Sequence, residues 1–134
     1  MVFYGEYTLN ITDGGRLVIP KKIRESLTGD YFILTKGFNN CLSGYDKNEW
    51  NTKTSTLMNQ TSLLDTENID KKRFIFSGAN QITIDDQGRF VLPKSLTDFM
   101  GLIDEKVVIV GVGDHFEIWG TEKWSEYLKN IDLK

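Results

Sequence analysis

Two arginines and two lysines fall at matching places in this chain, and the chemistry open to them is anion binding. Arg16 and Arg89 each follow a glycine, Gly15 and Gly88, and each precedes three apolar residues and a proline. Lys21 and Lys94 come directly after those prolines; the first copy adds Lys22 and Arg24. An arginine fork can bond O6 and N7 of guanine together, worth ~1–3 kcal/mol of discrimination. Lysine beside the free N–H groups of a helix start suits a phosphate, although a cation there opposes the helix dipole by about 0.3–1 kcal/mol. Plainer readings stand beside these. The lysines can simply extend into water, and Arg89 can close an internal salt bridge with Asp85, four residues before it. The residues alone leave both open, with the salt bridge the more economical for the arginines.

These side chains need elements to hold them, and the chain supplies the same set twice. Gly15-Arg16-Leu17-Val18-Ile19-Pro20-Lys21 returns as Gly88-Arg89-Phe90-Val91-Leu92-Pro93-Lys94, a shift of 73 positions from 16 to 89. Each copy opens on turn chemistry, Thr12-Asp13-Gly14-Gly15 and Asp85-Asp86-Gln87-Gly88, where glycine supplies positive φ and aspartate bonds its own backbone. Alternating runs precede the turns and short apolar runs follow, so each copy reads as a hairpin, over 3–19 and 80–92. Ile19 and Leu92 are pushed to extended backbone by the proline after them. Proline suits the first position of a short helix, over 20–27 and 93–100. Ile23 and Leu27 are its inward residues in the first copy, and Leu96, Phe99 and Met100 in the second.

After each unit come a compact strand, 31–34 and 107–110, and a return strand, 41–45 and 116–119. Asp46 is expected to cap a helix to about 59 with Trp50 inward, and Thr121 to cap a last one. A loop over 59–66 and a helix over 65–78, carrying Ile69, Arg73 and Phe76, join the halves. Each half of about 60 residues is too small to bury much alone. Sharing one closed barrel would solve this and remove edge strands.

The pattern Asp-x-x-x-Arg, three apolar residues and Pro resembles the MraZ family, within the AbrB-like swapped-hairpin DNA-binding domains. Phe3, Gly5-Glu6-Tyr7, Leu34-Thr35-Lys36-Gly37 and Cys41-Leu42 support the match. So do Phe76-Ser77-Gly78-Ala79, Val110-Gly111-Val112-Gly113 and Phe116-Glu117-Ile118-Trp119, in the family's order over nearly the whole chain. The resemblance implies a mainly β fold with short helices (α+β), two pseudo-symmetric swapped-hairpin halves closing one β-barrel. The halves are 1–60 and 79–134, with 61–78 connecting them. It also implies a sequence-specific transcription regulator that forms homo-oligomeric rings on repeated boxes upstream of division and cell-wall genes. Arg16, Lys21, Lys22, Arg24, Arg89 and Lys94 are then the DNA-binding residues, and Thr12, Gly15, Asp85 and Gly88 orient the motif. One departure stands out: the first copy has Thr12 where the family has aspartate, and Asp13 comes one residue too late.

Composition bounds the alternatives. A chain of 134 residues with 40% hydrophobic content, eight Phe, five Tyr and three Trp can build a core. No apolar run approaches the ~20 residues that span a bilayer, and the first residues do not read as a signal peptide. A cytoplasmic, nucleoid-associated protein with no membrane partner is expected. The single cysteine, Cys41, is expected to be a buried thiol. Net charge is −3, weak for a nucleic-acid binder. The distribution softens this. From Asp13 to Arg24 one aspartate faces Arg16, Lys21, Lys22 and Arg24, a local +3, whereas 85–94 is neutral. A protomer with one basic face would need several copies to hold double-stranded DNA.

Enzyme-like signals are thin. His115 is the only histidine; a metal site with Asp114 and Cys41 is unsupported by spacing. Gly111-Val112-Gly113 is a bare Gly-x-Gly that a strand turn explains, and Asp85-Asp86 is commoner in turns than in acid–base catalysis. No cofactor, metal, catalytic residue or small-molecule substrate is expected, and the protein is read as no enzyme. The alternative is an oligomeric protein-interaction scaffold without DNA binding.

Overall fold

A computed structural model of the chain describes residues 2–60, 62, 64–102 and 105–133. It is mainly sheet with short helices, as expected. In chain order the strands are β1 (Glu6–Asn10), β2 (Arg16–Val18), β3 (Tyr31–Lys36), β4 (Leu42–Tyr45), β5 (Asn80–Thr83), β6 (Arg89–Val91), β7 (Lys106–Gly111) and β8 (Phe116–Gly120). The helices are α1 (Lys21–Glu25), α2 (Lys47–Gln60), α3 (Thr66–Ser77), α4 (Lys94–Met100) and α5 (Thr121–Asn130).

Six strands form one sheet in the order β1-β7-β8-β4-β3-β5, and β2 and β6 form a separate two-stranded ribbon. The sheet is not closed into a barrel: β1 and β5 are its edges. The physical reason lies at the prolines. β2 and β6 are three residues long and run out at Pro20 and Pro93, which have no N–H to carry a ladder onward. Instead of joining the sheet's ends, the ribbon inserts Leu17 and Phe90 into the core, each about 2% exposed.

The expected hairpins are corrected in the same way. β1 does not pair along β2; the two meet only at the Thr12–Arg16 bridge, and β1 pairs antiparallel with β7. β5 pairs with β3, and β2 pairs with β6 in the register Arg16–Val91, Leu17–Phe90, Val18–Arg89. The halves therefore exchange partners reciprocally. Two equivalent bonds lock the exchange, from Ile19 N–H to the Gly88 carbonyl and from Leu92 N–H to the Gly15 carbonyl, both 2.8 Å.

A smaller core cluster gathers Cys41, Val108, Val110 and Trp119, and the larger one is shared by both halves. Down its middle Phe90 meets Phe32 edge-on at 5.3 Å, Phe32 meets Phe116 at 5.2 Å, and Phe116 meets Phe3 at 5.5 Å. Ribbon and sheet are thus joined by a column of rings, whose edge-to-face contacts add about 0.5–1.5 kcal/mol each beyond area burial. Ile23, Leu96 and Met100 are buried and Leu27 and Phe99 pack against the cluster, as their spacing predicts.

The helices differ in detail. Pro20 and Pro93 are the N-caps of α1 and α4, with extended ψ of 140°, not the first helical residues. Asp46 caps α2, accepting from Asn48 N–H at 3.1 Å, and its other oxygen accepts from Thr28 N–H at 2.5 Å. Trp50 is half-buried between Tyr45 and Phe76. The last helix begins after Gly120, and Thr121 is its first residue without a side-chain cap bond. In α3 the inward work falls on Phe74 and Ile75. Phe74 packs on Phe38 and Phe99, and the Ile75 carbonyl accepts the Thr35 hydroxyl, while Arg73 is exposed and pairs with Asp70. The expected loop over 59–66 shrinks to the break between α2 and α3; residues 61 and 63 lie outside the described residues.

Candidate nucleic-acid interface

In the ribbon the side chains alternate in and out, so Leu17 and Phe90 face the core. The opposite face carries Arg16, Val18, Arg89 and Val91, all exposed. Register sets each arginine directly across from a valine, and the two arginines lie on a diagonal roughly 7–8 Å apart at the backbone. Beside this face lies a cleft of about 570 Å³, lined by Arg16, Arg89, Val91, Asp85 and the exposed Gln81 and Thr83 of β5.

The two turns that aim the arginines are built differently. Asp85 Oδ1 accepts from the N–H groups of Gln87 at 2.9 Å and Arg89 at 2.8 Å, and Oδ2 accepts from Arg89 Nε at 2.9 Å. The Arg89 N–H foremost, aided by its guanidinium and the Gln87 N–H, holds this carboxyl below the usual range. In the first turn the Thr12 hydroxyl donates to the Arg16 carbonyl at 3.4 Å, and Arg16 N–H donates to the Thr12 carbonyl at 3.3 Å. Neither Thr12 nor Asp13 holds the side chain: among the described residues the Arg16 guanidinium has no partner. Gly15 and Gly88 adopt φ of +77° and +80°, which an L side chain adopts only with strain.

The other expected contacts separate into free and engaged cations. Lys21 and Lys22 are exposed and unpaired among the described residues. Lys94 is paired with Asp98 at 3.0 Å on open surface, a contact worth little. Arg24 crosses to the other copy, where Nη2 donates to the Asp85 carbonyl at 3.4 Å. It braces the second turn, a role its sequence position does not reveal.

The remaining candidates for chemistry have structural partners. Cys41 is buried and donates to the Phe38 carbonyl at 3.1 Å; burial pushes its thiol up to about 12, far from a reactive thiolate. His115 lies between Asp114, 2.7 Å from Nδ1, and Glu117, 3.2 Å from Nε2. Burial opposes its charge, but the two carboxylates outweigh it and raise its pKa. Asp114 in turn holds Lys53 of α2 at 2.8 Å. Gly111 is where the backbone of Phe3 and Tyr4 lies against β7, too close for any Cβ.

A family model described as "MraZ protein, putative antitoxin-like" matches residues 2–74 and 75–134. The chain belongs to the MraZ family. Among relatives, the transcriptional regulator MraZ of Clostridium tetani is 43% identical over 99% of this chain and 92% of its own length. The transcriptional regulator MraZ of Syntrophomonas wolfei is 42% identical over 96% and 88%, and that of Dictyoglomus thermophilum 42% over 98% and 88%. The pattern Asp-x-x-x-Arg is complete in the second copy, where carboxylate and arginine meet, and absent from the first, where the Thr12 side chain bonds only the backbone of Arg16. Reading that pattern as residues in a row hides Val18 and Val91. Alternation was the available signal, since the middle of three apolar strand residues must face opposite to its neighbours. Gln81 and Thr83 carry the same signal, since they alternate with the buried Ile82 and Ile84 in the run before the second turn.

Proposed function

We propose that this chain is a sequence-specific DNA-binding transcription regulator whose β2–β6 ribbon enters the major groove. The observation that carries the reading is the ribbon's outward face, which sets two arginines on one diagonal with no acid among the described residues paired to Arg16. The major groove, about 12 Å wide, admits a two-stranded ribbon, and arginine pairs bidentately with guanine there. Arg16 and Arg89 read bases. Lys21 and Lys22, at the start of α1 and unpaired among the described residues, contact phosphates; Lys94 and Arg24 do so only after giving up their present partners. Thr12, Gly15, Asp85 and Gly88 hold the turns that aim the arginines.

The reciprocal exchange of strand partners supports reading the two repeats, 1–60 and 79–134 joined by 61–78, as swapped-hairpin halves. Family membership supports a homo-oligomer on repeated boxes upstream of division and cell-wall genes, at the nucleoid. A net charge of −3 supports it too, because one weak basic face per protomer needs the avidity of several. Gel shifts with the DNA directly upstream of the gene test the reading. Wild type is expected to bind and Arg16→Ala to lose about tenfold or more in affinity. Absence of binding by the wild-type protein would hand the case to the scaffold alternative.

A further inference from the structure

We infer that Val18 and Val91 are specificity residues that read the C5-methyl groups of thymines in the major groove. This rests on the ribbon being the DNA-binding surface, and adds a second base to what the arginines would recognise. Both valines are about half exposed, Val18 at 53% and Val91 at 50%. They occupy the same outward face as Arg16 and Arg89, each directly across the ribbon from one of them. Directly opposed side chains start about 4.5–5.5 Å apart at Cβ, so each guanidinium stands beside a branched apolar group.

That pairing suits one kind of surface. Phosphates and water offer an exposed valine nothing, whereas the major-groove edge of thymine offers a methyl group, next to the O6 and N7 acceptors of a neighbouring guanine. Cytosine at the same place would put its N4 amine against a side chain that cannot accept a hydrogen bond, leaving a buried donor unpaired. Valine is short and stiff at χ1, so docking it orders little that was free. Along a strand, residues two apart are separated by roughly 6.8 Å, close to two base steps of roughly 3.4 Å each. An arginine and the valine two positions along its strand therefore meet bases about two steps apart. The arginine across from each valine suits nucleic acid as the occupant, and the valine methyls choose thymine within it.

The test uses the full-length protein and the DNA fragment directly upstream of its gene, with thymine replaced by deoxyuridine. That exchange keeps every base-pairing and groove acceptor and removes only the methyl. Wild-type affinity, measured by fluorescence anisotropy, is expected to fall about fourfold for each thymine contacted, the equivalent of one buried methyl. In the Val18→Ala, Val91→Ala double variant, whose shorter side chains reach less far into the groove, the loss on going from thymine to deoxyuridine should shrink clearly below about fourfold per site. Melting curves check that the variants fold; should the alanines melt early, Val18→Thr and Val91→Thr keep the branched strand shape and lose one methyl each. Wild-type binding indifferent to deoxyuridine, or an equal loss in the double variant, overturns the valine assignment and leaves the DNA reading standing. Failure of wild type to bind the thymine fragment removes both.

Discussion

Arg16 and Arg89 occupy equivalent positions in the repeat, yet they are held by different chemistry. Arg89 is bonded to Asp85, and its carboxylate also takes two backbone N–H groups. Arg16 is held through its backbone, by Thr12 and by its ladder partner Val91, and its guanidinium has no partner among the described residues. A carboxylate that aims an arginine also competes with DNA for it, so Arg16→Ala is expected to cost more affinity than Arg89→Ala. The exposed Asp85–Arg89 pair, with side chains 44% and 51% exposed, adds little stability by itself. Arg89→Ala should therefore melt close to wild type, whereas Asp85→Ala, which opens the turn, should melt a few degrees lower. The sign of the pH dependence follows from the lowered pKa of Asp85. Its contribution is full above the ordinary carboxylate value of 3.8 and is lost as pH falls through the lower folded value. Melts from pH 7 to pH 3 should show the gap between wild type and Asp85→Ala steady down to about pH 4 and shrinking below it. A gap that widens in acid would refute the assignment.

The turns and the ribbon work as one element, because each turn's backbone is part of the lock between the halves. A Cβ at Gly15 would sit 3.0 Å from the Leu92 carbonyl, backbone that cannot step aside, whereas one at Gly14 meets nothing within 4 Å. Both glycines have positive φ, and each alanine carries a penalty of roughly 1–2 kcal/mol for that conformation. Gly15→Ala alone also pushes on the Gly15–Leu92 bond at 2.8 Å. It is expected to destabilise by about 1 kcal/mol more than Gly14→Ala in urea unfolding. Equal losses would mean the lock yields freely. Apart from the Thr12–Arg16 bridge, the ribbon adds no pairing to β1 or β5, which stay the edges of the sheet.

At the scale of the whole molecule, a chain of net charge −3 must concentrate its positive face to hold DNA, and repetition of protomers is the available means. Light scattering is expected to show a closed oligomer at micromolar concentration; a monomer would contradict it. Salt titration on a multi-box fragment measures how many phosphates are engaged. Lys21→Ala should lower the slope of log K against log salt by ~0.9 for each protomer bound. Lys94→Ala should change it less, since Asp98 already neutralises that ammonium. Identical slopes for wild type and Lys21→Ala would place Lys21 in plain solvent.

Much of this protein is local and was readable in order along the chain. Turn glycines, prolines at the ends of short strands, the period of Ile23–Leu27 and of Leu96–Met100, and the repeat itself depend on neighbours a few residues away. Periodicity therefore located nearly every element, and the repeat set Arg16 and Arg89 at equivalent places. Choice of strand partner is another matter. Every strand offers the same N–H and C=O groups, so whether β2 pairs with β1 or β6 is decided by where Leu17 and Phe90 can be buried together, and that depends on residues far off in sequence. The same holds for Arg24, which reaches a carbonyl 61 residues away, and for Asp46, which serves Thr28 as well as its own helix. Alternation groups Val18 with Arg16 and Val91 with Arg89 along each strand, but that each valine stands across from the other copy's arginine follows only from the pairing of β2 with β6.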